Sequence, residues 1–482
     1  MKDLFARAVV ADQQGHIFDH PELAMLAWDG EVWRQPLPEE LITLPRGSDL
    51  FVLPQRRPYA LDVERDEPVE VEGDAETGIL QAVAAFVAPA YLRLLHPAYD
   101  TIEGAPDLTL YAYTAVGWMN GHFVVPAIRV DADKRQDPYR FDITEVEAGV
   151  RRIRAEHPHN GAIKHIEHCA LVYHCRAAQN FFLGRWEAPM PAASTCNAAC
   201  VGCISDQSGS TFEANHERMK VPSNAQDLIE LACLHLEQVP NGVVSFGQGC
   251  EGEPLVQGKV LEAVVRGIRE RTDKGVVNLN SNASLPRIVA RLAEAGLDSM
   301  RVSLNSAQPA LYNAYYKPRG YTLDNVLQSA VEMSSRGKYV SLNYFIFAGV
   351  SDSPAEIEAI STFIEKGGVS LIQLRNLNID PELYLKVLGE GAVDQPIGVL
   401  ALVHELRRRF PHLRFGYFNP PRTRMGRTGP LPGEHLLGGE ALSGREVRVG
   451  EPAQSTEVLV PGDKLSIGRR QADLEFTLPE LV

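Results

Sequence analysis

Apolar and polar positions follow two different rhythms along this chain, and the change falls near residue 185. Before it, short apolar patches broken by Pro, Gly and acidic residues read as strands at 15–18, 31–33 and 49–53. Asp29-Gly30 suits a hairpin turn between 26–28 and 31–33. The stretch 78–95 is predicted to be helical up to Pro89, and 108–130 reads as strand with Tyr111, Tyr113, Trp118 and Phe123. Clustered aromatics at strand spacing can form a binding face but more often fill a core. A helix is expected from Thr144 as N-cap, with Glu147 in the capping-box position and Val146, Val150 and Ile153 behind it. A second is expected over about 162–179.

Beyond 185, apolar runs alternate with amphipathic segments. Helices are expected at 225–237, 256–271, 284–295, 322–336, 353–366 and 395–410. Strands are expected before Cys196 and at 243–247, 276–280, 299–304, 339–347, 369–375 and 413–418. Strands alternating with helices indicate a parallel α/β sheet, with ligands at the carboxyl ends of its strands. The expected organisation is an N-terminal β-rich (α+β) module over 1–143, a helical linker over 144–184, the α/β core over 185–418 and a β-rich C-terminal cap over 419–482.

Composition narrows the class. A chain of 482 residues with 45% hydrophobic and 23% charged residues suits two or three globular domains. The net charge of −15 argues against a nucleic-acid partner. The start, Met1 to Phe5, lacks the apolar run of a secretion signal, and Gln81, Pro89 and Arg93 break the most apolar stretch too often for a membrane span. Seven unevenly spaced cysteines do not suit a disulfide framework. The expectation is a soluble protein of a reducing cytoplasm.

Three of those cysteines, Cys196, Cys200 and Cys203, fall within eight residues in a C-x3-C-x2-C pattern. So short a loop gathers its thiolates around one point, as iron–sulfur clusters require. A zinc site is the other reading, but tetrahedral zinc wants a fourth protein ligand and the loop offers none. Downstream, the expected strand at 243–247 runs on to Gly252-Glu253-Pro254. Together the two motifs resemble the radical S-adenosylmethionine (radical SAM) superfamily, over roughly the middle half of the chain.

The resemblance implies a partial (βα)6 TIM-like barrel and a [4Fe-4S] cluster held by Cys196, Cys200 and Cys203. It implies reductive cleavage of S-adenosylmethionine to a 5′-deoxyadenosyl radical. By the same resemblance Gly252 and Glu253 would take the methionine amine, Asn280, Ser303 and Asn305 would hold ribose and carboxylate, and Gly349 would pack near adenine. Structural capping of the strand ends is the alternative for these positions. The polar set 373–378 should face the substrate. One departure stands out: the family usually has an aromatic residue before the third cysteine, and here it is Gly202. Adenine contact would then fall to Val201 or Ile204.

Two groups of soft side chains need weighing. Cys250, beside Glu253, is a candidate catalytic hydrogen-atom donor or adduct-forming thiol, with a buried spectator as the bland alternative. His165, His168, Cys169 and Cys175 share one side of the predicted helix 162–179, so a second metal or cluster is open there. Small buried thiols with paired histidines are the other reading, since no second compact cysteine group completes a site. The expected activity is a radical SAM enzyme with an unidentified substrate, peptide or protein preferred over nucleic acid, with a small molecule also open, and a low-potential electron donor as partner. The other class is a non-catalytic iron–sulfur electron carrier or redox sensor, which would have no use for a methionine pocket.

Overall fold

A computed structural model describes residues 5–75 and 77–425. Its N-terminal third is built from antiparallel strands, eleven in a branched sheet and three in a smaller one. The expected hairpin is present: Ala27–Trp28 pairs with Trp33–Arg34, and the Asp29 carboxylate accepts the N–H groups of Glu31 and Val32 to fix the turn. Residues 81–86 overturn the helix expected over 78–89. Gln81–Phe86 is a strand between Asp49–Val52 and Arg7–Ala11. Buried on both faces, it shows no alternation, and periodicity cannot separate such a run from a buried helix. Tyr113, Trp118 and Phe123 are core residues, and Tyr111 stacks on Phe51.

The second rhythm folds as expected for an α/β protein. Seven parallel strands lie in sequential order: Glu187–Pro189, Val243–Phe246, Val276–Ser281, Ser299–Leu304, Tyr339–Ile346, Leu371–Asn376 and Arg414–Gly416. The helices are α1 (Ile143–Glu156), α2 (Gly161–Leu171), α3 (Arg176–Phe182), α4 (Ala225–Gln238), α5 (Gly258–Arg269), α6 (Pro286–Ala295), α7 (Pro309–Tyr316), α8 (Leu323–Ser334), α9 (Pro354–Gly367), α10 (Pro381–Leu388) and α11 (Val399–Arg409). The first and last strands are not paired with each other, so the barrel stays open. Side chains bridge the gap: Asn419, past the last strand, donates to Glu187 of the first (2.8 Å) and accepts from Gln373 of the sixth (2.8 Å). Helices α7 and α10, inserted after the fourth and sixth strands, escaped the sequence reading.

Three local expectations shift. Asp142, not Thr144, caps α1, its carboxylate accepting the Thr144 N–H. The helix expected over 162–179 is two helices, broken where His174 takes a positive φ of 52°. Cys175 therefore leaves the face of His165 and Cys169 and becomes the N-cap of α3. Residues of the expected linker, among them Val146, Ile153, Ile163 and Phe181, share one hydrophobic core with the barrel. The tail strands expected at 446–449 and 457–460 lie outside the described residues.

Three contacts fix the N-terminal sheet to the barrel. Asn376, ending the sixth strand, pairs through its side chain with the edge strand Tyr91–Arg93, accepting from the Arg93 N–H and donating to the Tyr91 carbonyl. Gly30 at the hairpin turn packs backbone to backbone on Gly349, where a Cβ on Gly30 would fall 2.4 Å from the Gly349 Cα. Arg56 and Asp380 form a buried ion pair at 3.1 Å, each side chain 2% exposed. The same carboxylate accepts the Leu108 N–H and caps α10 through Glu382 and Leu383. Removing one partner of a buried pair strands the other charge. Asp380→Ala should therefore lower stability by roughly 3–5 kcal/mol in urea unfolding; a loss below about 1 kcal/mol, the scale of an exposed pair, would mean that the pair does not anchor the sheet.

Candidate active site

The cysteine loop follows the first core strand and is held on both flanks. The Ala199 and Val201 N–H groups donate to the carbonyls of Tyr316 and Tyr315 (both 3.0 Å), acceptors that the end of α7 leaves unused. Asn197 donates to Ser284 and accepts from Asn282, which ties the loop to the end of the third strand. Cys196, Cys200 and Cys203 all border one cleft at the carboxyl ends of the strands. Burial, with the Glu253 charge next, pushes the Cys196 thiol up to about 11. Burial, with the other two thiols adding, pushes Cys200 well above its ordinary range. Arg218 brings a guanidinium N–H to the Cys203 sulfur at 3.3 Å.

The loop after the second strand lies against the cysteine loop. Gly252 N–H donates to the Ala193 carbonyl (2.7 Å) and Glu253 N–H to that of Thr195 (2.9 Å). A Cβ on Gly252 would fall 2.1 Å from the Thr195 oxygen, so only glycine permits this approach. Glu251, which the sequence reading passed over, joins the two loops. One of its oxygens accepts the Ala192 and Ala193 N–H groups and the other those of Gly247 and Gln248. Burial pushes its pKa up to about 7 against the pull of these four donors. The Glu253 carboxylate accepts from Ser281 Oγ and Leu255 N–H on one oxygen and from Asn282 N–H on the other. A carboxylate offers about four acceptor positions, so one stays open at the cleft.

Not every expected residue reaches the cleft. Gly252, Glu253, Asn280 and Ser303 line it, and the Asn280 Nδ2 is buried without a partner. Asn305 does not; its amide donates to Tyr384 Oη and the Leu311 carbonyl, bracing α10 and α7 against the fourth strand. Gly349 does not either, since its backbone is packed on Gly30. Cys250 lies in an adjoining cavity, against Cys169 and His165. Of the two residues expected to replace an aromatic at 202, Ile204 lines the cleft and Val201 does not. Arg375, Asn376, Leu377 and Asn378 of the expected polar set line the cleft, and the structure adds Asn343, whose Oδ1 has no partner, together with Tyr315, Tyr316 and the segment Phe86 to Tyr91. Asn343 had a signal in the sequence: it shares an inward strand face with Ser341 in an otherwise apolar run.

Known proteins bear on this arrangement. Residues 190–360 match the family model of the radical SAM superfamily, spanning both the cysteine loop and the Gly252-Glu253 turn. That segment is a radical SAM domain. The chain is similar to a probable GTP 3′,8-cyclase of Methanosarcina acetivorans, 29% identical over 46% of this chain and 63% of that protein. A probable GTP 3′,8-cyclase of Thermococcus kodakarensis is 28% identical over 47% of this chain and 69% of that one. The chain thus spans less than two thirds of the first of these relatives. Among solved structures, Streptococcus suis SuiB bound to S-adenosylmethionine aligns at 17% identity, covering 49% of this chain and 51% of that one, with a TM-score of 0.34. HydG, a maturase of the [FeFe]-hydrogenase, aligns at 14% identity over 59% and 67%, with a TM-score of 0.35.

The radical SAM match supports a [4Fe-4S] cluster and S-adenosylmethionine as cofactors, and the cleft suits both. The three thiols border the cleft together and are the donor set that iron–sulfur clusters use. The open acceptor on Glu253 suits an ammonium, and the unpaired Asn280 donor suits a carboxylate or hydroxyl. Among the described residues no helix is long and apolar enough to cross a membrane.

Glu251 gives a direct test. Glu251→Gln sets an amide NH2 against two of the four backbone donors and should cost roughly 2–3 kcal/mol of stability, read by denaturant unfolding. A neutral substitution would show that the carboxylate does not hold the two loops together.

Proposed function

We propose that this radical SAM enzyme acts on a small substrate carrying a carboxylate or phosphate, held by Arg375. In this reading Cys196, Cys200 and Cys203 hold the cluster, while Glu253, Asn280, Ser303 and Asn343 contact S-adenosylmethionine. When bound, the cluster and S-adenosylmethionine supply one-electron cleavage of a sulfonium C–S bond, giving methionine and a 5′-deoxyadenosyl radical that takes a hydrogen atom from the substrate. The electron comes from a low-potential donor, and the reducing cytoplasm remains the proposed compartment.

One observation carries the substrate class. Arg375, at the end of the sixth strand, is a buried cation lining the cleft, with no carboxylate at ion-pair distance among the described residues. Its Nη2 donates to Gln373 Oε1 and the Tyr417 carbonyl, and its guanidinium lies 3.6 Å from the centre of the Tyr417 ring. These contacts aim the group without neutralising it, and its Nε stays unpaired. A buried charge of this kind is compensated best by a bound anion, which the guanidinium fork grips strongly. The relatives' printed name supports the class, since GTP carries phosphate. The N-terminal β module contributes Phe86, Val87, Ala88, Pro89 and Tyr91 to the cleft wall. A cleft roofed in this way favours a small molecule over an extended chain.

The test is anaerobic reconstitution with a reductant and S-adenosylmethionine, scoring 5′-deoxyadenosine release against nucleotides, GTP included, and small carboxylates. Arg375→Gln should retain the wild-type iron content and lose at least roughly 30-fold of substrate-stimulated release. Stimulation by neutral peptides alone, or full stimulation of the variant, would sink the reading. Arg218→Ala should lower the cluster's reduction potential, because hydrogen bonds to the sulfurs and nearby charge set that potential; an unchanged redox titration would remove Arg218 from the site.

A further inference from the structure

We propose that His165, Cys169 and Cys250 form a mononuclear zinc site, separate from the cluster cysteines, that fastens α2 to the loop carrying Glu251, Gly252 and Glu253. Their ligand atoms all lie within 4.8 Å of one another, the one such trio of His, Cys or acidic groups among the described residues. Cys169 and Cys250 are buried, and Cys169 Sγ is 3.6 Å from His165 Nε2. Zinc bonds of about 2.3 Å to sulfur and about 2.0–2.1 Å to nitrogen, at the tetrahedral angle, put those two ligand atoms about 3.6 Å apart. A [4Fe-4S] cluster places each ligand on a different iron and needs wider spacing, so the trio suits one ion better than such a cluster. Two thiolates and an imidazole are the soft set that selects zinc. With the two thiol protons released on binding, a divalent ion leaves the buried site neutral.

The surroundings point to a ligand independently. Cys169 and Cys250 border a second cavity, distinct from the main cleft but sharing Gln248, Gly249 and Arg375 with it. His216 borders this cavity too; it is 7% exposed, and its Nδ1 is buried without a partner. With three protein ligands the fourth position opens onto that cavity. Chain topology explains how the trio meets. His165 and Cys169 are i and i+4 on α2, and the loop past the second strand carries Cys250 to them. The sequence offered Cys175 as their partner; the break after α2 leaves it outside the trio, on the wall of the same cavity.

The experiment is metal analysis of the full-length, anaerobically reconstituted enzyme after dialysis against a chelator. Wild type should hold about four irons and about one zinc per chain. Zinc-edge X-ray absorption should show two sulfurs at about 2.3 Å and at least one nitrogen at about 2.0–2.1 Å. Cys169→Ser and Cys250→Ser should lose the zinc and keep the iron and cluster absorbance, which also reports folding. Cys196→Ser should lose the iron and keep the zinc. His165→Gln, which leaves both sulfurs in place, should weaken zinc binding in a chelator competition even if the serine variants fold poorly. Three results would overturn the proposal: no zinc in wild type after supplementation, zinc retained by the Cys169→Ser/Cys250→Ser double variant, or a Cys169–Cys250 disulfide in the anaerobic protein. None depends on the substrate, so the zinc site and the Arg375 reading can fail separately.

Discussion

A single buried carboxylate sets the geometry on which the active site depends. Glu251 accepts four backbone N–H groups, two from the end of the first strand and two from the end of the second. These donors would otherwise be buried without partners, since neither loop continues a strand ladder there. Satisfying them with one rigid group fixes the two loops at one separation. The cysteines leave from one of these loops and the Gly252-Glu253 turn from the other. Neither motif can move without breaking hydrogen bonds that water cannot replace in a buried position.

The rest of the barrel extends the same logic inward. Side chains facing the interior are polar and mutually satisfied rather than apolar. Asn278 donates to Ser245 and accepts from Ser299, Arg301 donates to Gln373, and Gln373 reaches Glu187 through Asn419. Such a belt closes an open barrel by side chains where the backbone ladder cannot. It also leaves unpaired atoms where it reaches the cleft, at Asn280 and Asn343. Buried polar groups are almost always satisfied, which makes Asn280 and Asn343, both lining the cleft, the candidates there for contact with a ligand.

How much of this was legible follows from the kind of signal each part emits. The core strands and the helices between them were readable because each pairs a buried run with an amphipathic one, and the two motifs lie at the strand ends where ligands gather. Residues 81–86 were misread because burial on both faces erases alternation. Helices α7 and α10 were missed because each is only eight residues long. Asn305 and Gly349 were assigned to the cofactor by position alone. In the structure they contact Tyr384 and Gly30, which lie 79 and 319 residues away in the chain. Cys250 shows the same limit: its chemistry was visible, but its company was not, because the break between α2 and α3 decides which thiols meet. The His–Cys pair on α2 was in plain view, and only the fold could supply its third member.

The departure at Gly202 has a physical reason that the missed helix supplies. A Cβ at 202 would fall 2.7 Å from the Tyr315 hydroxyl, so a side chain there and the Tyr315 ring compete for one volume. Tyr315 wins that space from α7, whose last carbonyls also hold the cysteine loop through the Ala199 and Val201 N–H groups. Gly202 and Tyr315 are therefore one structural choice. The helix that anchors the loop also supplies an aromatic wall, and the loop, relieved of that task, needs no side chain at the position. An aromatic face presented from a helix held by backbone hydrogen bonds is more rigid than one on a free loop residue, because burial fixes both of its torsions. In this chain an aromatic wall of the cleft comes from α7, and glycine at 202 leaves the space that Tyr315 fills.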